Sequence, residues 1–233
     1  MKLVAASSPG MEAAHRHTYV RTTVDILMQN RNLLRPTARF LKQYSSYDQS
    51  GFDEKLDGLR LISSRPDVNG AVITPDYAIT LTQTLLKLYQ QNDKNKVNYQ
   101  RGAIVELLTR KLICHRYNRS DEQCLNNQRF VDNYKDITVK EVDVAALSTA
   151  RRKIEGYECK VSPTGFEPYD RINLDNLAEA ANDKEYRANV GFVCFENDSV
   201  MKIKVARLQL PDVIKLYGLD TIETLQYLWF LDN

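Results

Sequence analysis

Three residues near the middle of the chain have the types and spacing for metal-assisted phosphate chemistry. Asp143 interrupts the apolar run Glu141-Val142-Asp143-Val144-Ala145-Ala146-Leu147, and Glu158 and Lys160 sit two apart in Tyr157-Glu158-Cys159-Lys160-Val161. Both runs read as strands, and a strand turns residues i and i+2 to one face, so Glu158 and Lys160 point together. Carboxylate oxygens suit Mg²⁺ or Mn²⁺. A lysine beside them suits a charge that grows negative. Asp is depleted in strands and costly to bury alone, so a cation is the economical compensation for Asp143. Glu141, on the same strand face, is the fallback ligand. The competing reading makes Lys160 a salt-bridge partner of Glu158.

A third acid precedes them. Glu106 lies in Arg101-Gly102-Ala103-Ile104-Val105-Glu106-Leu107-Leu108, within a helix expected from about residue 97 to 115. Helical side chains lean toward the N-terminus, so Glu106 projects over small Gly102 and Ala103, where another element can approach closely. The alternative is a surface Glu106 paired with Arg110 at i+4.

The order is then a helix with Glu106, a strand with Asp143, and a strand with Glu158 and Lys160. It resembles the PD-(D/E)xK nuclease superfamily, the restriction-endonuclease-like fold. The Arg101-Gly102-x-x-x-Glu106 helix resembles the Holliday-junction resolvase and Mrr-like branches. The likeness spans roughly residues 96 to 205, and Val142-Asp143 stands where the family name has Pro-Asp. The resemblance implies an α/β fold with an αβββαβ core. It implies Mg²⁺ or Mn²⁺ held by Asp143, Glu158 and the Cys159 carbonyl, with Glu106 completing the shell or helping to hold a second ion. Lys160 would orient or deprotonate the attacking water or stabilise the transition state. Arg101, with the nearby Arg110 and Lys111, is a candidate for phosphate contact.

The wider chain sets the frame. Its 233 residues suffice for one large domain or two small ones, and 43% hydrophobic with 27% charged residues is a globular composition. A net charge of +2 is too small to require a nucleic-acid partner. Basic residues do cluster, at Arg101, Arg110, Lys111, His115, Arg116 and Arg119, and again at Arg16, Arg21, Arg31, Arg35, Arg39 and Lys42. Such clusters can follow a phosphate backbone or simply form solvated helix faces. Cys114, Cys124, Cys159 and Cys194 match no zinc spacing and are expected reduced, in a cytoplasmic protein. The opening residues are too short in apolar character for a signal peptide, and no run approaches the ~20 apolar residues of a membrane span.

In chain order, residues 1 to 14 read as a mobile lead-in. Helices are expected over 18 to 34, from Pro36 through Tyr44, over 52 to 61, and from a Thr74-Pro75-Asp76 start through Tyr89. The loop 64 to 70 separates the last two. Residues 1 to 95 thus form an N-terminal all-helical region and 96 to 233 the nuclease-like domain. Tyr44, Tyr47, Tyr77 and Tyr89 suit either base stacking or a helical core. After Glu106 come a short strand at 128 to 131, strands at 139 to 147 and 153 to 162, a helix at 174 to 186, and strands at 190 to 195 and 201 to 208. A helix at 211 to 217 and a final apolar segment with Trp229 and Phe230 close the chain.

The expected function is metal-dependent phosphodiester hydrolysis by an endonuclease acting on DNA before RNA. The alternatives are a nuclease effector of a defence or repair complex that needs a partner, and an inactive relative that binds or scaffolds. A homodimer or protein partner would use the N-terminal helices or the C-terminal tail; no membrane is expected.

Overall fold

The computed structural model describes residues 1–6, 8–63, 75–91, 93–117, 122–133 and 135–227. Thr74, the loop at 64 to 70, Arg119, Trp229 and Phe230 lie outside them. The elements are β1 (Lys2–Ala5), α1 (Pro9–Arg16), α2 (Thr18–Gln29), α3 (Leu34–Gln43), α4 (Phe52–Ser63), α5 (Pro75–Tyr89), α6 (Lys94–Cys114), β2 (Glu122–Asp132), β3 (Lys135–Asp136), β4 (Val142–Ser148), β5 (Lys153–Lys160), α7 (Pro168–Asp183), β6 (Arg187–Cys194), α8 (Asp198–Val205) and β7 (Ile214–Tyr217). They form two compact units: Pro9–Leu108, and Met1–Ser8 with Thr109–Asn233. The division falls inside α6.

The first unit is helical. Its core gathers Phe40, Tyr44, Phe52 and Tyr89 with ring centroids 5.0 to 5.7 Å apart. The Tyr89 hydroxyl donates to the Tyr44 carbonyl at 2.8 Å, so the polar end of this buried ring is satisfied. Tyr44 and Tyr89 are therefore core residues, and Tyr77 donates to Gln29 at 2.7 Å.

The second unit is built on a seven-stranded mixed sheet in the order β1-β2-β4-β5-β6-β7, with β3 paired to β2. Strands β1, β2, β4 and β5 are antiparallel neighbours; β5, β6 and β7 run parallel. A parallel step needs a crossover, and α7 supplies it between β5 and β6. Leu174, Leu177, Ala178 and Ala181 of α7 pack over Ile154, Val190 and Phe192 of the sheet. Gly156 makes this approach possible: a Cβ there would stand 2.6 Å from Leu177 Cδ2. Side chains alternate along β5, so Gly156, Glu158 and Lys160 face one way and Glu155, Tyr157 and Cys159 the other. On that second face Glu155 is bound by Arg116, at 2.8 and 2.9 Å, and by the hydroxyls of Tyr117 at 2.7 Å and Tyr157 at 2.5 Å.

Several local expectations change. Residues 2 to 5 form a strand and 9 to 16 a helix, rather than a mobile lead-in, because β1 pairs with β2 from across the chain. The expected strand at 201 to 208 is α8 and a following 3₁₀ turn. Met201 and Val205 are buried at a separation of four, which satisfies strand alternation and a helical face equally; Ile203, between them, is 76% exposed. The expected helix at 211 to 217 contains β7, which extends the sheet beside β6. Cys114 and Cys124 are joined in a disulfide, correcting the expectation of four reduced thiols; folding brings the end of α6 to β2 with Cα atoms 5.6 Å apart, within bridging range. Cys159 and Cys194 are buried and belong to no disulfide. No helix among the described residues is long and apolar enough to cross a membrane.

Candidate metal centre

Backbone pairing between β4 and β5 runs from Ser148 opposite Lys153 to Val144 opposite Tyr157. Beyond that pair the strands part, and the Asp143 side chain enters the gap. Its Oδ2 accepts a hydrogen bond from the Cys159 amide at 2.7 Å and from Lys160 Nζ at 3.1 Å. Lys160 Nζ also lies 3.8 Å from Glu158 Oε2. Asp143, Glu158 and Lys160 thus converge at one point of the sheet.

Burial sharpens their electrostatics. The Glu158 side chain is 1% exposed and that of Lys160 29%. Desolvation, then the charge of Asp143, push the Glu158 carboxyl well above its ordinary range. Burial works against the Lys160 ammonium, yet Asp143, Glu158 and Asp170 outweigh it and hold the lysine protonated. The stem of Lys160 rests on Gly165, where a Cβ would sit 3.6 Å from the lysine Cβ and Cγ.

A further layer was not foreseen from the sequence. Lys140 Nζ sits 2.9 Å from Oδ1 of buried Asp170, whose Oδ2 accepts from the Glu167 amide at 2.7 Å. Asn173, fully buried, accepts from the Val139 and Lys140 amides at 2.9 and 3.2 Å. Its Nδ2 donates to Glu158 Oε1 at 3.4 Å. Asn173 therefore links the chain entering β4 to the acid on β5. Glu167-Pro168 followed by Asp170 carries a readable helix-start signal; Asn173 carries none, since its partners come from far along the chain.

Three carboxylates, Asp143, Glu158 and Asp170, surround two ammonium groups here. Asp143 and Asp170 are each engaged by a lysine and a backbone amide; Asp143 and Glu158 share Lys160, and they are the pair whose charges a divalent cation beside them would relieve. The donor set is the ground for that fit: two largely buried carboxylates converge on one point, and a hard cation lowers the cost of ionising a buried acid beside another. Among the described residues no three His, Cys, Asp or Glu side chains group as a metal set, so a protein-held ion would draw a further oxygen from backbone, and the Cys159 carbonyl lies between Glu158 and Lys160 in sequence.

The remaining candidates have other partners. Glu106 is 2% exposed and lies 2.7 Å from His15 Nε2 within the helical unit, and Met11 Cε lies 3.9 Å from the Cβ that Gly102 lacks. The close approach expected over Gly102 is thus made by α1. Arg101 donates to the Leu41 carbonyl at 2.8 Å and to Asn98 at 2.8 Å. Arg110 donates to the Cys124 carbonyl at 3.2 Å and to Asn126 at 3.4 Å, while Lys111 is exposed. Glu141, the fallback ligand, is half-buried, and its carbonyl accepts from Asn173 at 3.4 Å.

No protein-family model matches this chain, and no curated protein matches it either.

Proposed function

We propose that the chain is a metal-dependent nuclease that hydrolyses phosphodiester bonds, a DNA endonuclease of the PD-(D/E)xK kind. The observation that carries the reading is the convergence of Asp143, Glu158 and Lys160 where β4 and β5 part. The order α6, β2, β4, β5, α7 and β6, with the two-residue β3 between β2 and β4 set aside, supports it, because it follows the helix, three-strand, helix, strand order of that core.

In this reading Asp143, Glu158 and the Cys159 carbonyl would hold Mg²⁺ or Mn²⁺. When bound, such an ion supplies an acidified water and neutralises phosphate charge. The protein's own part is positioning and electrostatics. The Cys159 amide fixes the Asp143 carboxylate, and Asn173 fixes Glu158. Lys160, 3.1 Å from Asp143 Oδ2, acts as a donor to a phosphate oxygen and stabilises the growing negative charge. Burial of Glu158 keeps the site at low dielectric, where that charge stabilisation is strongest. Glu106, paired with His15, and Arg101, bound to a backbone carbonyl, have no assigned role in this chemistry.

The test is a cleavage assay on plasmid, linear duplex, single-stranded DNA and RNA with Mg²⁺, Mn²⁺ or EDTA. Wild type is compared with Asp143→Ala and Lys160→Ala. Metal-dependent cutting lost in both variants is expected. No cutting of any substrate, together with no metal binding that depends on Asp143, would refute the proposal.

A further inference from the structure

The rim of the centre carries side chains that the nuclease chemistry does not use. Val139 is 61% exposed, Tyr169 59% and Ile172 39%. All three are tied to the centre through adjacent residues. The amides of Val139 and Lys140 bond to Asn173, one residue beyond Ile172, and Lys140 pairs with Asp170, one residue beyond Tyr169. Residues 169 and 172 share a face of α7, away from the buried stripe of Asp170, Asn173, Leu174 and Leu177. An aromatic ring and two aliphatic side chains thus stand exposed one residue from Asp170, Asn173 and Lys140, and the half-buried Lys140 ammonium pairs with Asp170 at 2.9 Å.

We infer that this rim, Lys140 with Tyr169, takes an unpaired nucleic-acid strand, the lysine on a phosphate and the tyrosine stacked on a neighbouring base. The inference rests on the nuclease reading and adds the form of the substrate. A cation and an exposed aromatic ring on the same rim are the chemistry of single-strand binding, where phosphates follow the charge and base faces follow the rings. A blunt duplex presents its base edges and phosphates, but its base faces are covered by stacking, so Tyr169 would gain nothing from it. Asp170 keeps Lys140 charged and oriented, since its carboxylate raises the lysine against the cost of burial. A phosphate oxygen would share that ammonium, which has three donors, without displacing Asp170.

The experiment is fluorescence anisotropy in EDTA on the full chain, with a labelled single-stranded oligonucleotide and the blunt duplex of the same length. Tyr169→Ala, Tyr169→Phe and Lys140→Ala are compared with wild type, each checked for an unchanged melting temperature. Tighter binding of the single strand is expected. Tyr169→Ala should weaken it by about tenfold, as loss of one base–aromatic stack does, and Tyr169→Phe should keep it. Lys140→Ala should weaken it and reduce the slope of log affinity against log salt by about 0.7, one phosphate contact on a single strand. Equal or tighter duplex binding, or Tyr169→Ala and Lys140→Ala binding as wild type does, would overturn the inference. A protein that cuts duplex metal-dependently but ignores single strands loses only this inference. One that cuts nothing and binds neither oligonucleotide loses the nuclease reading with it.

Discussion

The Asp143 carboxylate stands 2.7 Å from the Cys159 amide, in the position that a backbone carbonyl of β4 would hold if the ladder continued. One side chain thereby ends the strand pairing, satisfies the amide and presents an acid beside Glu158 and Lys160. The two roles are separable. Asp143→Asn keeps an acceptor for the amide and loses the charge; Asp143→Ala loses both. The Asn variant is expected to unfold near the wild-type denaturant midpoint while cleavage falls at least about a hundredfold, the scale of a lost electrostatic contact at a reaction centre. The Ala variant should lose the same activity and a further ~1–3 kcal/mol of stability from the unsatisfied amide. Urea titration beside the cleavage assay distinguishes them.

Glu158 costs stability when no metal is bound. Its carboxyl is raised above the ordinary value of 4.5 by burial first and by Asp143 second. A raised acid contributes stability that is fully present below the unfolded value and is lost as pH rises through the folded one. Metal-free Glu158→Gln is therefore expected to melt above wild type at pH 8 by roughly 2–4 °C, the shift of about 1 kcal/mol in a chain of this size. The gap should close toward pH 5. Adding Mn²⁺ should reverse the order, raising wild type and leaving the Gln variant unmoved. Melting curves at the two pH values, with and without Mn²⁺, check both signs.

On the other face of β5 the Arg116–Glu155 pair is almost wholly buried, with side chains 3% and 4% exposed. Arg116→Met leaves buried Glu155 short of its principal partner, although Tyr117 and Tyr157 still donate to it. A loss of about 3–5 kcal/mol is expected. The double variant Arg116→Met with Glu155→Leu should recover only part of it, because the buried charge is gone but the Tyr117 and Tyr157 hydroxyls lose Glu155 as their acceptor. Chemical denaturation of the two single variants and the double variant measures the coupling.

The Cys114–Cys124 disulfide closes a short loop, the two residues being ten apart in sequence. Replacing both by Ala is expected to cost about 3 kcal/mol by the loop-entropy relation. Thiol titration of the denatured, unreduced protein should find only Cys159 and Cys194, and all four cysteines after reduction.

Sequence alone determined the local parts of this protein. An Asp in an apolar run and an acid two residues from a lysine marked the strands and the candidate centre. Strand alternation put Glu158 and Lys160 on one face, and helical spacing outlined α2, α3, α5 and α6. These are features of near neighbours, whose geometry the backbone fixes. Tertiary structure decided whatever depended on a distant partner. Residues 2 to 5 are a strand because β2 offers them an edge. Met201 to Leu208 runs through α8 and a 3₁₀ turn, with Met201 and Val205 buried and Ile203 in water, which alternation along the sequence did not reveal. Glu106 met His15, Cys114 met Cys124, and Asn173 met Glu158 across separations that no local pattern encodes. The reason is the same in each case: a side chain's type limits the partners it can accept, but only the folded chain, trading backbone entropy for burial and long-range hydrogen bonds, selects which one it receives.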